Sequence, residues 1–329
     1  MPGFPILTMI YRPDDFEPAY ATAAAETAAL IASADAARNG FEFRMVPLGE
    51  LVPSCTDRAR LWFRGHDLLE NPQCFQVDDF SWDPQTSHAL KAICRTVQAS
   101  DSVLLNHSFE APDFLTVDKL AIIQHAASLK IPTAPTVCVP AGRYARTALP
   151  LVQQHIGAGP YIIKPRELGM GVAVLKVDTA EQLQAAIDIA AQSGIGYLVQ
   201  PYLPNAGDTR VFIVGGTIVA VMQRTPAPGT YRANTSQGAH SSRGTEHQQI
   251  HGMSQTIARS LNAACLQVDW LMTPRGPILN EWSSGFGGYS ALVEPDRTQV
   301  GDAFYAWARS RLNHRRAQLR TSAAPISAT

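Results

Sequence analysis

Apolar and polar positions along this chain alternate in two periods. Residues 6–11, 41–47 and 103–106 are short apolar runs of strand length, and residues 60–63 read as an edge strand. Between them, the alanine-rich residues 21–38 carry a helical pattern. So do residues 86–100, which are apolar at Leu90, Ile93 and Val97. Residues 71–84 follow neither period and predict a loop. Strands alternating with helices at this spacing imply an α/β domain in the first third of the chain.

Asp118-Lys119-Leu120 opens a further helix that runs to about residue 129, with Thr116 as its N-cap. An extended run follows at residues 136–139. YIIKPRELGMGVAVLKV (161–177) then reads as a strand ending in Lys164, a loop containing Gly169 and Gly171, and a second strand. Residues 181–191 predict an amphipathic helix, and residues 197–200 a strand closed by Pro201-Tyr202-Leu203. Residues 208–213 and 217–224 form a hairpin across Gly215-Gly216. Residues 225–245, rich in Gly, Ser, Thr, Asn and Arg, predict a mobile loop. Helices follow at 253–261 and 304–312. Residues 314–329 form a tail that is small and polar from Thr321 and expected to be disordered.

The hydropathy pattern is most telling at residues 267–288, QVDWLMTPRGPILNEWSSGFGG. Two apolar runs flank the turn Pro274-Arg275-Gly276, and each carries one acid, Asp269 or Glu281. In a hairpin the two carboxylates converge on one face, which Ser283 shares. Such a pair suits Mg²⁺, which takes one or two carboxylates and completes its shell with phosphate oxygens and water. Two exposed hairpin acids are the plainer alternative.

At 329 residues the chain has room for two or three domains or one large one. A net charge of −1 argues against nucleic acid as a partner. Five scattered cysteines fit reduced thiols and a cytoplasmic protein, and the N-terminus shows no secretory signal. No apolar stretch reaches the roughly 18 residues of a membrane span, so no membrane partner is expected. The first strand is followed by no GxGxxG, which argues against hydride transfer on a dinucleotide fold, and neither HExxH nor GxSxG occurs. His240, His247 and His251 read as exposed or structural.

Cations carry more. Lys164 closes an apolar strand just before a glycine loop whose backbone can approach phosphate closely, and Lys119 at a helix start suits the same anion. Arg210 alternates into a sheet face two residues after Asp208 and needs an anionic partner there. Arg224, Arg232 and Arg243 add guanidinium groups in or near the 225–245 loop, with Asn234 beside them. This collection suits a polyanion.

The order DKL, IIKP, LVQPYL, DTR, RAN, VDW and ILNEWSS across residues 89–288 resembles the ATP-grasp superfamily, nearest the branch of ribosomal-protein glutamate ligases and bacterial glutathione synthetase. The resemblance implies an α/β (α+β) ATP-grasp fold in three parts. These are an N-terminal α/β domain over 1–115, a central lid over 116–203 and a catalytic domain over 204–313. ATP would lie between the last two, with Lys119 and Lys164 on its phosphates. The Gly169 and Gly171 loop would lie nearby, Gln200, Pro201, Tyr202 and Leu203 at the adenine, Asp208 on the ribose, and Arg232 and Asn234 on phosphate. Asp269, Glu281 and Ser283 match metal-ligand positions, with Mg²⁺ or Mn²⁺ as the ion. The family usually has Asn where Ser283 stands, and the loop RELGMGV is shorter than its counterparts.

Arg210, Arg224 and Arg232 are the expected catalytic cations, with Arg210 facing the γ-phosphate and then an acyl phosphate. The implied activity is ATP-dependent joining of a small-molecule carboxylate to an amine. A small-molecule kinase and a nucleotide-binding module without turnover are the alternatives. A homo-oligomer stays open.

Overall fold

The computed structural model describes residues 4–13, 17–55, 57–77, 83–106, 118–235, 238–244, 248–284 and 287–322. The N-terminal part begins with a parallel unit, β1 (Ile6–Tyr11), α1 (Pro18–Arg38) and β2 (Glu42–Pro47), with Met9 opposite Met45. Strands β3 (Leu51–Cys55), β4 (Ala59–Phe63) and β5 (His66–Asp67) then form a small sheet of their own. β4 is its central strand rather than the expected edge strand. β6 (Cys74–Val77), α2 (Pro84–Gln98) and β7 (Val103–Leu104) complete a parallel sheet in the order β2-β1-β6-β7.

β6 lies inside residues 71–84, which the hydropathy pattern assigns to a loop. All four of its residues are buried, so it has no polar–apolar alternation to read. The chain leaves β1 toward β2 in one direction and β6 toward β7 in the other. Right-handed crossovers therefore place α1 and α2 on opposite faces. The packing agrees: Leu90 and Ile93 of α2 meet Ile10, Phe75 and Val77, whereas Ala36 of α1 joins Leu7 and Phe43. The strand order thus reverses between β1 and β6.

The central part is an antiparallel sheet, β10-β9-β11-β8, from β8 (Val137–Val139), β9 (Tyr161–Pro165), β10 (Leu175–Val177) and β11 (Tyr197–Pro201). It is preceded by α3 (Lys119–Ser128). Helices α4 (Ala148–His155) and α5 (Ala180–Ala190) cover its outer face, where Val152, Leu183 and Ile187 bury Tyr161, Ile163 and Val199. α5 starts at a capping box, Thr179 with Gln182.

The last part is a five-stranded antiparallel sheet, β14-β13-β12-β15-β16. Its strands are β12 (Asp208–Val214), β13 (Thr217–Thr225), β14 (His240–Arg243), β15 (Cys265–Thr273) and β16 (Gly276–Ser283). β14 falls inside the stretch read as a loop and pairs with the end of β13, His240 opposite Thr225. One face packs on α3 and α6 (Gln248–Ser260), burying Val211, Val268, Trp270 and Trp282 with Ile122 and Ile257. Positions 208, 210, 267 and 269 alternate onto the other face and are free of that apolar core. Finally α7 (Asp296–Ser322) returns to the N-terminal sheet, where Phe304, Ala308 and Leu312 meet Leu7 and Leu105. Residues 314–322 are helical, contrary to the expected tail, because α7 lies along the N-terminal part: Arg315 donates to the Ser100 carbonyl at 2.9 Å.

Candidate active site

Lys119 and Lys164 come from separate elements and are brought together by a clamp. Asp118 is the N-cap of α3, its carboxylate accepting from the Leu120 N–H at 2.9 Å. Thr116, the expected cap, lies outside the described residues. The Asp118 carboxylate also receives the Arg166 guanidinium, through Nε at 3.1 Å and through Nη2. The Lys119 N–H donates to the Arg166 carbonyl at 3.0 Å. The start of α3 is thereby tied to the end of β9, directly after Lys164.

Lys119 Nζ sits 3.2 Å from Glu281 Oε2 and donates to the Leu168 carbonyl. Lys164 Nζ donates to Asn280 Oδ1 at 3.1 Å. Adjacent residues of a regular strand point to opposite faces, yet Asn280 and Glu281 both reach this cluster. The reason is a bulge in β16. Asp269 faces Glu281 while Trp270 faces Leu279, leaving Asn280 as the extra residue. Burial pulls the Lys164 ammonium down to about 8; Glu281 opposes this and Lys119 adds to it.

Behind them lies a buried four-membered ionic lattice. Arg210 holds both oxygens of Asp269, Nε and Nη2 each at 2.7 Å, and its Nη1 donates to the Gly287 carbonyl. Arg224 holds both oxygens of Asp208 at 2.6 Å and reaches Asp269 Oδ2 at 2.7 Å. The partner that Arg210 needs is therefore Asp269, across the strand pair β12–β15, and not Asp208. Burial alone would raise the Asp269 carboxyl, but the two guanidinium groups outweigh it and hold the group well below the usual range. Burial lifts the Asp208 carboxyl to about 6, against Arg224 and with the help of Asp269. Gly207 (φ +118°) makes this packing possible, since a Cβ there would stand 2.1 Å from the Arg224 carbonyl oxygen.

Two cavities open on this cluster. The smaller, about 120 Å³, lies between the central and last sheets. Lys119, Lys164, Gly169, Gly171, Gln200, Pro201, Tyr202, Leu203, Asp208, Arg232 and Asn234 all line it, so every expected nucleotide contact falls on one wall system. Gln200 is held by Thr136, Nε2 to Oγ1 at 2.8 Å, and the Tyr202 N–H donates to the Pro160 carbonyl at 2.8 Å. Arg232 Nη1 donates to the Gly171 carbonyl at 3.3 Å. At Gly171 (φ +71°) a Cβ would lie 2.5 Å from Asn234 Oδ1, so the glycine loop and the 225–245 segment meet there only because it has no side chain.

The larger cavity, about 780 Å³, is lined by Arg210, Arg224 and Ser283 and extends toward α1 and β1. Lys119, Gly169, Asn234 and Glu281 line both cavities.

Metal-ligand chemistry divides unevenly among the expected residues. Asp269 and Glu281 are cross-strand neighbours as expected, although it is the bulge at Asn280 and not regular alternation that pairs them, and Glu281 opens to both cavities. Ser283 faces Gln267 instead and donates to its Oε1 at 3.2 Å. Among the described residues no group of three or more His, Cys, Asp or Glu is placed to hold a metal ion. Asp269 lines neither cavity and its oxygens are held by Arg210 and Arg224, so the carboxylate placed for Mg²⁺ is that of Glu281; one carboxylate fits this ion, which keeps waters and takes substrate phosphate oxygens.

The family model of the RimK-like ATP-grasp domain matches residues 116–291. The chain belongs to the RimK-like ATP-grasp family. A relative from Pseudoalteromonas atlantica named probable alpha-L-glutamate ligase 1 is 32% identical over 148 residues, 43% of this chain and 48% of that protein. The chain thus spans about half the length of that relative. Among solved structures, D-cycloserine synthetase DcsG matches with a TM-score of 0.67 at 14% identity, covering 92% of this chain and 99% of that one. The ATP-grasp ligase PsnB, in complex with a minimal precursor, Mg and ADP, matches at 0.61 and 11% identity, over 92% of this chain and 98% of that one. At such identities these structures show a shared ATP-grasp fold. They place it over nearly the whole chain, beyond the family model's own limits.

Within this RimK-like frame, sequence reasoning missed Asn280, the Asp118–Arg166 clamp and the apolar slot of Ile162, Val174 and Leu271. The Pro-Arg pair after IIK was a visible signal for the clamp; a bulge has none. Arg243 pairs with Asp296 at 3.3 Å and lines neither cavity; His240 and His251 also line neither cavity. His247 lies outside the described residues.

Proposed function

We propose that this protein is an ATP-dependent carboxylate–amine ligase acting in the cytoplasm. The observation that supports it is the meeting of two cavities at Lys119 and Glu281. One carries the nucleotide contacts; the other is a separate space that brings a second reactant to the same cations. The smaller cavity takes the base and ribose of the nucleotide, the base in the apolar slot and the ribose hydroxyls on Asp208, with the phosphates at the junction of the two cavities. Lys119, Lys164 and Arg232 hold the phosphates. A carboxylate oxygen of the acid attacks the γ-phosphorus, the bond to the bridging oxygen breaks, and ADP leaves. The amine nitrogen then attacks the acyl carbon, phosphate departs with the C–O electron pair, and the amide nitrogen loses its proton.

Arg210 lines the second cavity together with Arg224, and its positive charge suits the charge that develops on the transferring phosphoryl oxygens. Glu281, which opens to both cavities, would hold Mg²⁺, and the ion would supply charge neutralisation to the phosphates. No Ser, Cys or His nucleophile is required, and burial pushes the Cys74, Cys94 and Cys265 thiols up, away from reactivity.

The test is ADP release across pairs of acids and amines. Ligase activity requires both reactants and yields an amide with one ADP and one phosphate. ADP with a phosphorylated alcohol and no amine requirement would identify a kinase and refute the proposal.

A further inference from the structure

The larger cavity has a character that the reaction alone does not explain. Its volume, about 780 Å³, is that of sites holding drug-sized ligands, roughly 300–1,000 Å³. One wall is the β1–β2 face, with Leu7 and Met9 beside Phe43 and Met45. The opposite wall is α1, which presents Ala21, Ala24, Ala25, Ala28 and Ala32 with Thr27 and Ile31 beside them. Those positions share one helical face, yet they are half-buried or exposed rather than packed. The alanines leave open a space that longer side chains would fill. Among the polar groups on this side, Arg12 and Gln76 are both buried and stand just past β1 and on β6, where the strand order reverses. Crevices at such a reversal are where open α/β sheets take ligands.

We infer that the acid activated here carries a bulky apolar body, which lies between the alanine face of α1 and the Met9–Met45 wall while its carboxylate reaches Lys119 and Arg210. The inference rests on the ligase reading and adds the substrate class. The cations at one end match the carboxylate, and the apolar walls match the body. A short acid leaves this space empty, and one with a second charge on its side chain, such as glutamate, sets that charge against methionine and phenylalanine unless it reaches Arg12.

Hydroxylamine tests this without knowledge of the natural amine. The acid attacks the γ-phosphorus and ADP leaves; the hydroxylamine nitrogen then displaces phosphate from the acyl carbon and gives a hydroxamate. The panel runs from acetate, alanine and glutamate to leucine, phenylalanine and N-acylated amino acids. The expected result is a kcat/KM at least about tenfold higher for the bulky apolar acids. Ala28→Phe fills the cavity and should lower that preference about tenfold or more while the Kd for ATP is unchanged. Ala24→Phe, at an exposed position of the same wall, is the second variant should Ala28→Phe fold poorly. Ala23→Phe, exposed and outside the cavity, should behave as wild type. Glutamate or acetate used as well as the bulky acids would overturn the inference and leave the ligase reading standing. Preference unchanged in both filled variants would do the same. Hydroxamate from no acid at all would overturn the ligase reading and the inference with it.

Discussion

Burial of Lys164 makes nucleotide binding depend on pH in a direction the structure fixes. In the free protein its ammonium titrates near 8, against an ordinary 10.5, because burial penalises the charge and Glu281 only partly restores it. That difference amounts to roughly 3 kcal/mol. A bound triphosphate restores the missing counter-charge and returns the group to its ordinary range or above. Binding then takes up a proton wherever the free protein has lost one. The Kd for ATP should be flat below about pH 7.5 and weaken approximately tenfold per pH unit between roughly 8 and 10, about 1.4 kcal/mol per unit.

Titration calorimetry at pH 8 in buffers of different ionisation enthalpy should report uptake of about half a proton. Lys164→Met should weaken binding at neutral pH and abolish both the slope and the proton uptake. Stability without nucleotide has its own sign. The folded value lies below the unfolded one, so the penalty is fully present below pH 8 and is relieved as pH rises toward 10.5. Lys164→Met should therefore raise the melting temperature at pH 7. A Kd that stays constant from pH 7.5 to 9.5 in the wild type, with no proton uptake at pH 8, would refute the reasoning.

Two further expectations concern groups around that lysine. Arg210→Ala leaves Asp208 and Asp269 sharing Arg224 alone. Breaking a buried pair costs roughly 3–5 kcal/mol, here less because Arg224 keeps its bond to Asp269. The melting temperature should fall by several degrees, ADP release by about 10²–10³-fold, and Arg210→Lys should recover stability more than turnover; an Arg210→Ala variant with normal ADP release would remove the residue from the chemistry. Gly171→Ala places a methyl at 2.5 Å from Asn234 Oδ1 in a backbone of φ +71°. Calorimetry should show ATP bound about tenfold or more weakly with the melting temperature little changed, and an unaltered Kd would show that the contact between the glycine loop and Asn234 is not part of the nucleotide site.

What the sequence determined by itself was whatever local pattern encodes. The hairpin at 267–288 has apolar residues on either side of a Pro-Arg-Gly turn, so its existence follows from alternation; regular pairing would set Asp269 against Asn280, and it is the bulge that brings Glu281 opposite Asp269. The order of DKL, IIKP, LVQPYL, DTR and RAN was enough to group residues from 119 to 234 that do line one cavity. Other features depend on what a segment meets in space. β6 reads as loop because a strand buried on both faces shows no period, and its burial comes from β1, β7 and α7. The end of α7 reads as a tail because its helix is held by contacts with the N-terminal part, more than two hundred residues away in the chain.

The ionic lattice shows the limit most sharply. Alternation places Arg210 beside Asp208, but both strand neighbours of β12 compete for it, and the pairing of β12 with β15 gives it to Asp269 while β13 brings Arg224 to Asp208. Charge type and strand position are local properties of a sequence. The choice of partner among several charges is made by strand order and by one extra residue in β16, and both are decided only when the whole sheet is assembled.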